Sequence, residues 1–429
     1  MPADETTTTR ERLRAAVRSA PDQWRVWWRV ALLGVTTIVS YGFVLYSFGV
    51  FVVPIEEETG WGTGVVSAAF SLSLLGGGLG AIFAGRVLDK VGARPVMLVS
   101  LAAGSVLLLV AASAESSTAF IVAWGLGGGI ISAGLFYNVT MAITARLFMD
   151  RRAQAFAVLT FIGGLASPIY FPLAGVLVDA TGWRDTVRIM VVVLVIGTVP
   201  TAMLVRGAAA TLANAVEGGP EAGYSSVRQA FRTREVVQMV AMFSLAMSAF
   251  SALQVYHVPA MQAAGVSLTA ATTIAGVRGF LSLPGRALLS PITTRAGVPR
   301  AMLVMYAAMA LGVGILILAG STVFIWTFAV ITGLAFGTIA PLHGLHAAAV
   351  FGERRIGTLM GAQTAVVAVA SAAGPLLVGL TVDATDGYGV ALAIIAIMFG
   401  LSLGLLVVRP RRTEVREVAV ETPPPGTEQ

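Results

Sequence analysis

The chain has 429 residues, 56% of them hydrophobic and only 12% charged, with a mean hydropathy of +0.84. Soluble globular proteins carry about 25% charged residues, so this chain lacks the polar surface to cover a water-facing particle, and it shows none of the ten-residue alternation of a membrane β-barrel. The net charge is +6, and the absence of cysteine excludes disulfides and thiol-ligated metals.

Residues 1–26 read as a polar tail whose basic stretch, Arg10–Arg18, either lies on an anionic lipid surface or is simply solvated. The first apolar run, near 29–55, is too long for the core of a secretory signal and reads as a first spanning helix. Apolar runs of about 20 residues, enough to cross a bilayer, then recur along the chain. They predict an all-α membrane protein with twelve spans near 27–55, 62–85, 95–114, 118–145, 153–178, 186–206, 235–260, 268–293, 300–319, 321–349, 356–381 and 388–408. Several exceed the bilayer thickness, so kinks are expected, with Pro168, Pro172, Pro284, Pro341 and Pro375 as candidates.

Between spans the charge alternates. The tails and even-numbered gaps hold the bases, among them Arg86, Lys90, Arg94, Arg146, Arg151, Arg152, Arg228, Arg232, Arg234, Arg295, Arg300, Arg354 and Arg355. The odd-numbered gaps hold Glu56, Glu57, Glu58, Glu115, Asp179, Asp185, Asp383 and Asp386, with only Arg184 as a base. Basic loops stay on the cytoplasmic side, which predicts a multi-pass protein of the cytoplasmic membrane with both termini in the cytoplasm. The positive charge is then a topological bias rather than a nucleic-acid footprint.

The chain repeats itself. "VDATG" at 178–182 returns as "VDATD" at 382–386, "DRR" at 150–152 as "ERR" at 353–355, and "DKVGARPVMLV" at 89–99 as "TRAGVPRAMLV" at 294–304. The three landmarks keep one order and offsets of 204, 203 and 205. This predicts a duplicated six-helix unit: bundles at 27–206 and 235–409, a cytoplasmic connecting loop at 207–234 and a polar cytoplasmic tail at 410–429. An even number of helices per unit makes both enter from one side, which suits two halves rocking about a central site.

"GRVLDKVGAR" (85–94) resembles the loop signature of the major facilitator superfamily. The resemblance implies its twelve-helix fold of two bundles, with spans 1, 4, 7 and 10 lining a cavity. It also implies a conformational latch formed by Gly85, Asp89, Lys90, Gly92 and Arg94, in which Asp89 accepts hydrogen bonds from the amino end of a helix in the other half. The second copy keeps Arg295, Gly297 and Arg300 but has Thr294 in place of an acid. "SYGFVLYSFGVFVVPIEEE" (40–58), "RLFMDRRAQAFAVLTFIGG" (146–164), "GWR" (182–184) and "GPLLVGLTVDAT" (374–385) are similar to the monocarboxylate transporter branch and its bacterial relatives, including oxalate/formate antiporters. That branch often has a lysine in helix 1, where Tyr46 stands here, and an aspartate four residues before the helix-8 arginine. Here those two positions are Ser282 and Arg286. The resemblance makes Arg286 the anion residue.

Among the residues themselves, Arg278 stands out, about eleven residues into span 8 and close to the bilayer middle. A charged group there costs roughly 2.5–3.5 kcal/mol on insertion scales. No Asp or Glu lies in a span interior to neutralise it. A planar guanidinium without a built-in counter-ion suits a substrate carboxylate; the alternative is that Arg278 bonds backbone carbonyls near Gly279 or Pro284, and that Arg286 reaches out to the cytoplasm. Tyr41, Tyr46, Tyr137, Asn138 and His257 are further substrate-binding candidates, and His257, His343 and His346 are candidates for proton coupling. Ser244, Ser248 and Ser251, with Gln254 beyond, read first as helix packing. Three histidines without a carboxylate do not make a metal site, no phosphate-cradling loop for ATP is present, and no cofactor is implied. The expected function is a secondary active transporter of a small organic anion, a monocarboxylate by resemblance, as proton symporter or anion exchanger, with no enzyme activity. The alternatives are a drug or metabolite exporter of the same fold and a non-transporting membrane receptor.

Overall fold

The computed structural model describes residues 20–148, 151–205, 226–318, 320–352 and 356–408. The expectations for the chain ends, the connecting loop around 206–225 and the landmarks at Asp150 and 353–355 lie outside them. The described residues are helical, with no β-strand among them. Span 1 is built from helices Ala20–Tyr41 and Phe48–Thr59 joined by the π-helical turn Gly42–Tyr46. Span 2 is Thr63–Val91 and span 3 is Ala93–Ala112. Span 4 breaks at Phe136 into Ser117–Leu135 and Tyr137–Leu147. Span 5 runs from Arg152–Gly163 into the long helix Ala166–Leu204, which turns at Gly182 (φ 75°) and returns as span 6.

The second half repeats the order. Span 7 is Arg234–Ala263, span 8 Leu268–Ala296, span 9 Val298–Ile317, span 10 Thr322–Phe336 with Ile339–Phe351, span 11 Ile356–Thr385 and span 12 Tyr388–Val407. Judged by length and apolarity alone, ten described stretches could cross a membrane. The two missing crossings have plain causes: spans 5 and 6 run on as one helix, and span 8 is made too polar by Arg278, Arg286 and Arg295. For description, the face where span 1 starts and span 12 ends is the terminal face, and the opposite one is the loop face.

The expected prolines do not sit at the breaks themselves. Pro168 and Pro341 stand in the first turn of the helices that follow a break, where a missing N–H costs nothing. Pro172, Pro284 and Pro375 lie inside continuous helices. The breaks come at glycine-containing or aromatic junctions instead: Gly42, Phe136, Gly164 and Gly337. The duplicated loop motif folds twice into the same turn. Gly92 (φ 85°) and Gly297 (φ 79°) close spans 2 and 8 by donating their N–H groups to Leu88 and Thr293. A positive φ at the same place in both copies explains why glycine survives there while the acid does not.

Inside each half, small residues set the helix spacing, as expected where lipid supplies no hydrophobic drive between helices. Gly76 and Gly129 bring spans 2 and 4 nearly to backbone contact, and Gly77, Gly125 and Gly128 extend that seam. In the second half, a Cβ on Gly337 would lie 2.0 Å from the Ser282 carbonyl oxygen and 3.0 Å from Cγ of Arg286. Gly337→Ala is therefore expected to lower the melting temperature in detergent, corresponding to about 1–3 kcal/mol of overpacking, and to displace Arg286.

Candidate functional site

Span 8 carries both arginines, and its length makes their positions symmetrical. Ser282 is the midpoint of Leu268–Ala296. Arg278 and Arg286 stand four residues to either side of it, each about 6 Å along the axis. Neither is nearer the middle of its helix, so depth does not separate them; their surroundings do.

Arg278 is 1% exposed. Its Nε donates to Thr332 Oγ1 (2.9 Å) and its Nη1 to Gln254 Oε1 (2.9 Å). Its guanidinium carbon lies 5.6 and 5.3 Å from the ring centres of Phe328 and Phe336, both on span 10, within cation–π range. The alternative of bonds to nearby backbone carbonyls is not what is seen. The ion pairs between described residues are Arg146–Asp89, Arg184–Glu58 and Arg188–Asp185, so no described carboxylate neutralises Arg278. Neutral partners satisfy part of the guanidinium and leave its charge in place. Nη2 is buried without a hydrogen-bond partner, as are Gln254 Nε2, His257 Nε2 and Ser282 Oγ.

His257 is one turn beyond Gln254 and fully buried. Its Nδ1 lies 2.7 Å from the Leu253 carbonyl. A carbonyl can only accept, so Nδ1 carries a proton and Nε2 is the atom left to accept or donate at the site. Phe171 of span 5 meets the imidazole edge-on at 5.0 Å, and Tyr46 of span 1 packs on Phe171 at 5.7 Å. His257 Nε2 therefore lies where the two halves meet, beside the aromatic rings of the first. Loss of such hydrogen bonds in a buried place costs about 1–3 kcal/mol each, a cost that a bound polar ligand would recover.

Arg286 is half-buried and makes a second cluster toward the terminal face. Its Nη1 donates to the Thr160 carbonyl of span 5 (3.0 Å), as does the hydroxyl of Tyr137 (3.5 Å). Tyr41 stacks on Phe136 at 3.8 Å and tilts against Tyr137 at 5.0 Å. Of the adjacent pair Tyr137 and Asn138, only Tyr137 joins this cluster. Asn138 is exposed, and its amide donates to the Ala133 carbonyl across the break in span 4. Among the proton-coupling candidates, His343 is set apart from both arginines: its Nε2 pairs with the Tyr306 hydroxyl (2.6 Å), and its ring stacks on Phe243 (3.9 Å). His346 lies beside the same phenylalanine. The serine stripe packs as expected, with Ser248 and Ser251 donating to the Ala370 and Ser371 carbonyls of span 11.

Among the described residues, the loop signature makes its contacts within its own half. Asp89 is 67% exposed and pairs with Arg146 of its own half, at the end of span 4. Arg94 reaches Met203 of span 6. Among the described residues Asp89 has no partner in the other half; one of its oxygens pairs with Arg146. Sequence reading also missed Thr332, Phe171, Phe328 and Phe336. Nothing in their spacing marks them, since they belong to other helices and face Arg278 or His257 only through the packing.

Comparisons with known proteins agree with this architecture. The profile of the Major Facilitator Superfamily matches residues 33–375 and again 257–427. Monocarboxylate transporter 13 of Rattus norvegicus is 24% identical over 399 residues, covering 92% of this chain and 91% of that protein. Multidrug resistance protein MdtL of Klebsiella pneumoniae is 31% identical over 126 residues, 29% of this chain and about a third (31%) of its own length. Among solved structures, the nucleoside transporter NupG superposes with a TM-score of 0.69 at 13% identity, covering 89% of this chain and 97% of that one.

Proposed function

We propose, from the premise that this chain belongs to the Major Facilitator Superfamily, that it moves a small organic anion across the cytoplasmic membrane by alternating access. The family membership makes it a multi-pass membrane transporter. The carboxylate class of the cargo is our reading of the site. The observation that carries it is Arg278: a buried cation at the meeting of the halves, held by two neutral side chains, with Nη2 left unpartnered. A monocarboxylate would accept from Nη2 and from Gln254 Nε2, recovering the desolvation of both. The rings of Phe171, Phe328 and Phe336 would hold its apolar end.

His257 supports proton symport over simple exchange. With Nδ1 tied to the backbone, a proton on Nε2 would donate to the same carboxylate, so anion and proton would cross together as a neutral pair. The basic terminal face would be cytoplasmic by the positive-inside rule, and the loop face external. Arg286 would serve as an approach site from the cytoplasm. Arg286→Ala is expected to raise the half-saturating concentration about tenfold, the worth of one exposed-side charge contact of about 1.4 kcal/mol.

The function is tested with purified protein in proteoliposomes, using labelled lactate, pyruvate and oxalate against a panel of apolar cations. Saturable uptake of a monocarboxylate, competed by others of its class and not by cations, is the expected result. Uptake of apolar cations alone, untouched by loss of Arg278, would instead establish the exporter reading that the aromatic wall also suits.

A further inference from the structure

On the loop face, an aspartate from each half reaches the start of a helix in the other. Asp383, at the end of span 11, accepts from the N–H of Thr63 (2.8 Å) through Oδ1 and from that of Gly64 (2.9 Å) through Oδ2. These are the first amides of span 2, which have no acceptor within their own helix and form its positive end. A Cβ on Gly62 or Gly64 would lie 2.9 Å from Asp383 Oδ2, so the carboxylate comes this close because both positions are glycine. Asp179, at the end of the loop-face part of span 5, accepts from the Thr269 hydroxyl (2.5 Å) in the first turn of span 8.

The two contacts are copies of one another. Asp179 and Asp383 occupy the same place in the repeated "VDAT", and Thr63 and Thr269 open the equivalent helices of the two halves. One contact runs from the second half to the first, the other from the first to the second. Between them the halves touch through backbone: a Cβ on Gly49 of span 1 would lie 2.7 Å from the Gln254 and Val255 carbonyls of span 7. Tyr256 adds a bridge, bonded to Ser67 of span 2 (2.5 Å) and donating to the Pro375 carbonyl of span 11 (2.7 Å). Glu56 approaches Thr63 from within the first half, so the cross-half share of that contact belongs to Asp383.

We propose that Asp179 and Asp383 are a paired clasp holding the loop face shut, released together when the site opens to that side. The physical reason for a pair is the rocking motion. A single tether on one flank of the cleft would leave the other flank free to hinge, whereas two tethers placed by the duplication close it evenly. The Asp383 side is the stronger, because it binds two amides in a helix's positive end while Asp179 binds one hydroxyl. The idea uses the rocking of two halves but neither the cargo nor Arg278, so its test can fail while the transport reading stands.

The chain has no cysteine, which allows a single reporter. Thr272 is fully buried and wedged against Gly175 of the opposite half. In Thr272→Cys protein reconstituted in liposomes, a membrane-impermeant maleimide added at the loop face should react slowly. Adding Asp383→Asn should speed labelling about tenfold, as expected for a contact of about 1.4 kcal/mol, Asp179→Asn should speed it by less, and both together should speed it further. Asp386→Asn removes a neighbouring charge that makes no such contact and should change nothing. An unchanged rate in the double variant overturns the proposal, as does equal acceleration by Asp386→Asn. Should Asp383→Asn fail to fold, Thr269→Val opens the other clasp without touching a carboxylate: faster labelling supports the proposal and an unchanged rate overturns it.

Discussion

Arg278→Ala is expected to lower monocarboxylate uptake in proteoliposomes by about 200- to 5,000-fold at subsaturating substrate. Removing one partner of a buried, hydrogen-bonded charge pair costs about 3–5 kcal/mol, and the anion would lose its only fully buried cation contact among the described residues. The same variant should melt within a few degrees of the parent. Gln254 and Thr332 each lose a bond, at about 1–3 kcal/mol for an orphaned buried group, but the molecule also sheds a charge that costs roughly 2.5–3.5 kcal/mol to hold in a membrane. These terms oppose each other. A purely structural arginine would behave differently, with melting and uptake falling together. Arg278→Lys should recover only a small part of the activity, because an ammonium cannot hold Thr332, Gln254 and a carboxylate in one plane.

His257→Gln is expected to separate transport from its driving force. Under one-to-one proton symport, each unit of imposed pH gradient drives about tenfold accumulation of the anion, since one unit is worth about 1.4 kcal/mol. The glutamine variant has no group at Nε2 that can take up and release a proton. It should show no gradient-driven accumulation, yet retain exchange of labelled for unlabelled monocarboxylate across the same membrane, because Arg278 and Gln254 are untouched. His343→Gln provides the contrast. Its imidazole is occupied by Tyr306 and Phe243, away from Arg278, and coupling should survive its loss. Accumulation that persists in His257→Gln and vanishes in His343→Gln would move the proton site to the second cluster.

Much of the architecture was legible from the chain alone. Hydropathy places twelve crossings, span 8 among them despite the arginines it carries. The duplication was visible because each copy must make the same turns. Gly92 and Gly297 hold the same positive φ, and the doubled "VDAT" carries the same aspartate to the loop face. Arg278 was legible for an energetic reason, since a charge in a membrane span is expensive wherever its partners turn out to lie.

What the chain by itself determined, then, is what is written locally: which segments are apolar, where the loops fall between them, which residues recur, and which arginines are out of place in a span. The tertiary structure alone decided who meets whom. Asp89 faced Arg146 of its own half, while Asp179 and Asp383 reached across. His257 joined Arg278, and His343 did not. Such pairings depend on the rotation of each helix about its axis and on how closely glycines such as Gly49, Gly276 and Gly379 let two helices approach. Those are properties of two surfaces packed together, so a linear string of residues carries no direct record of them.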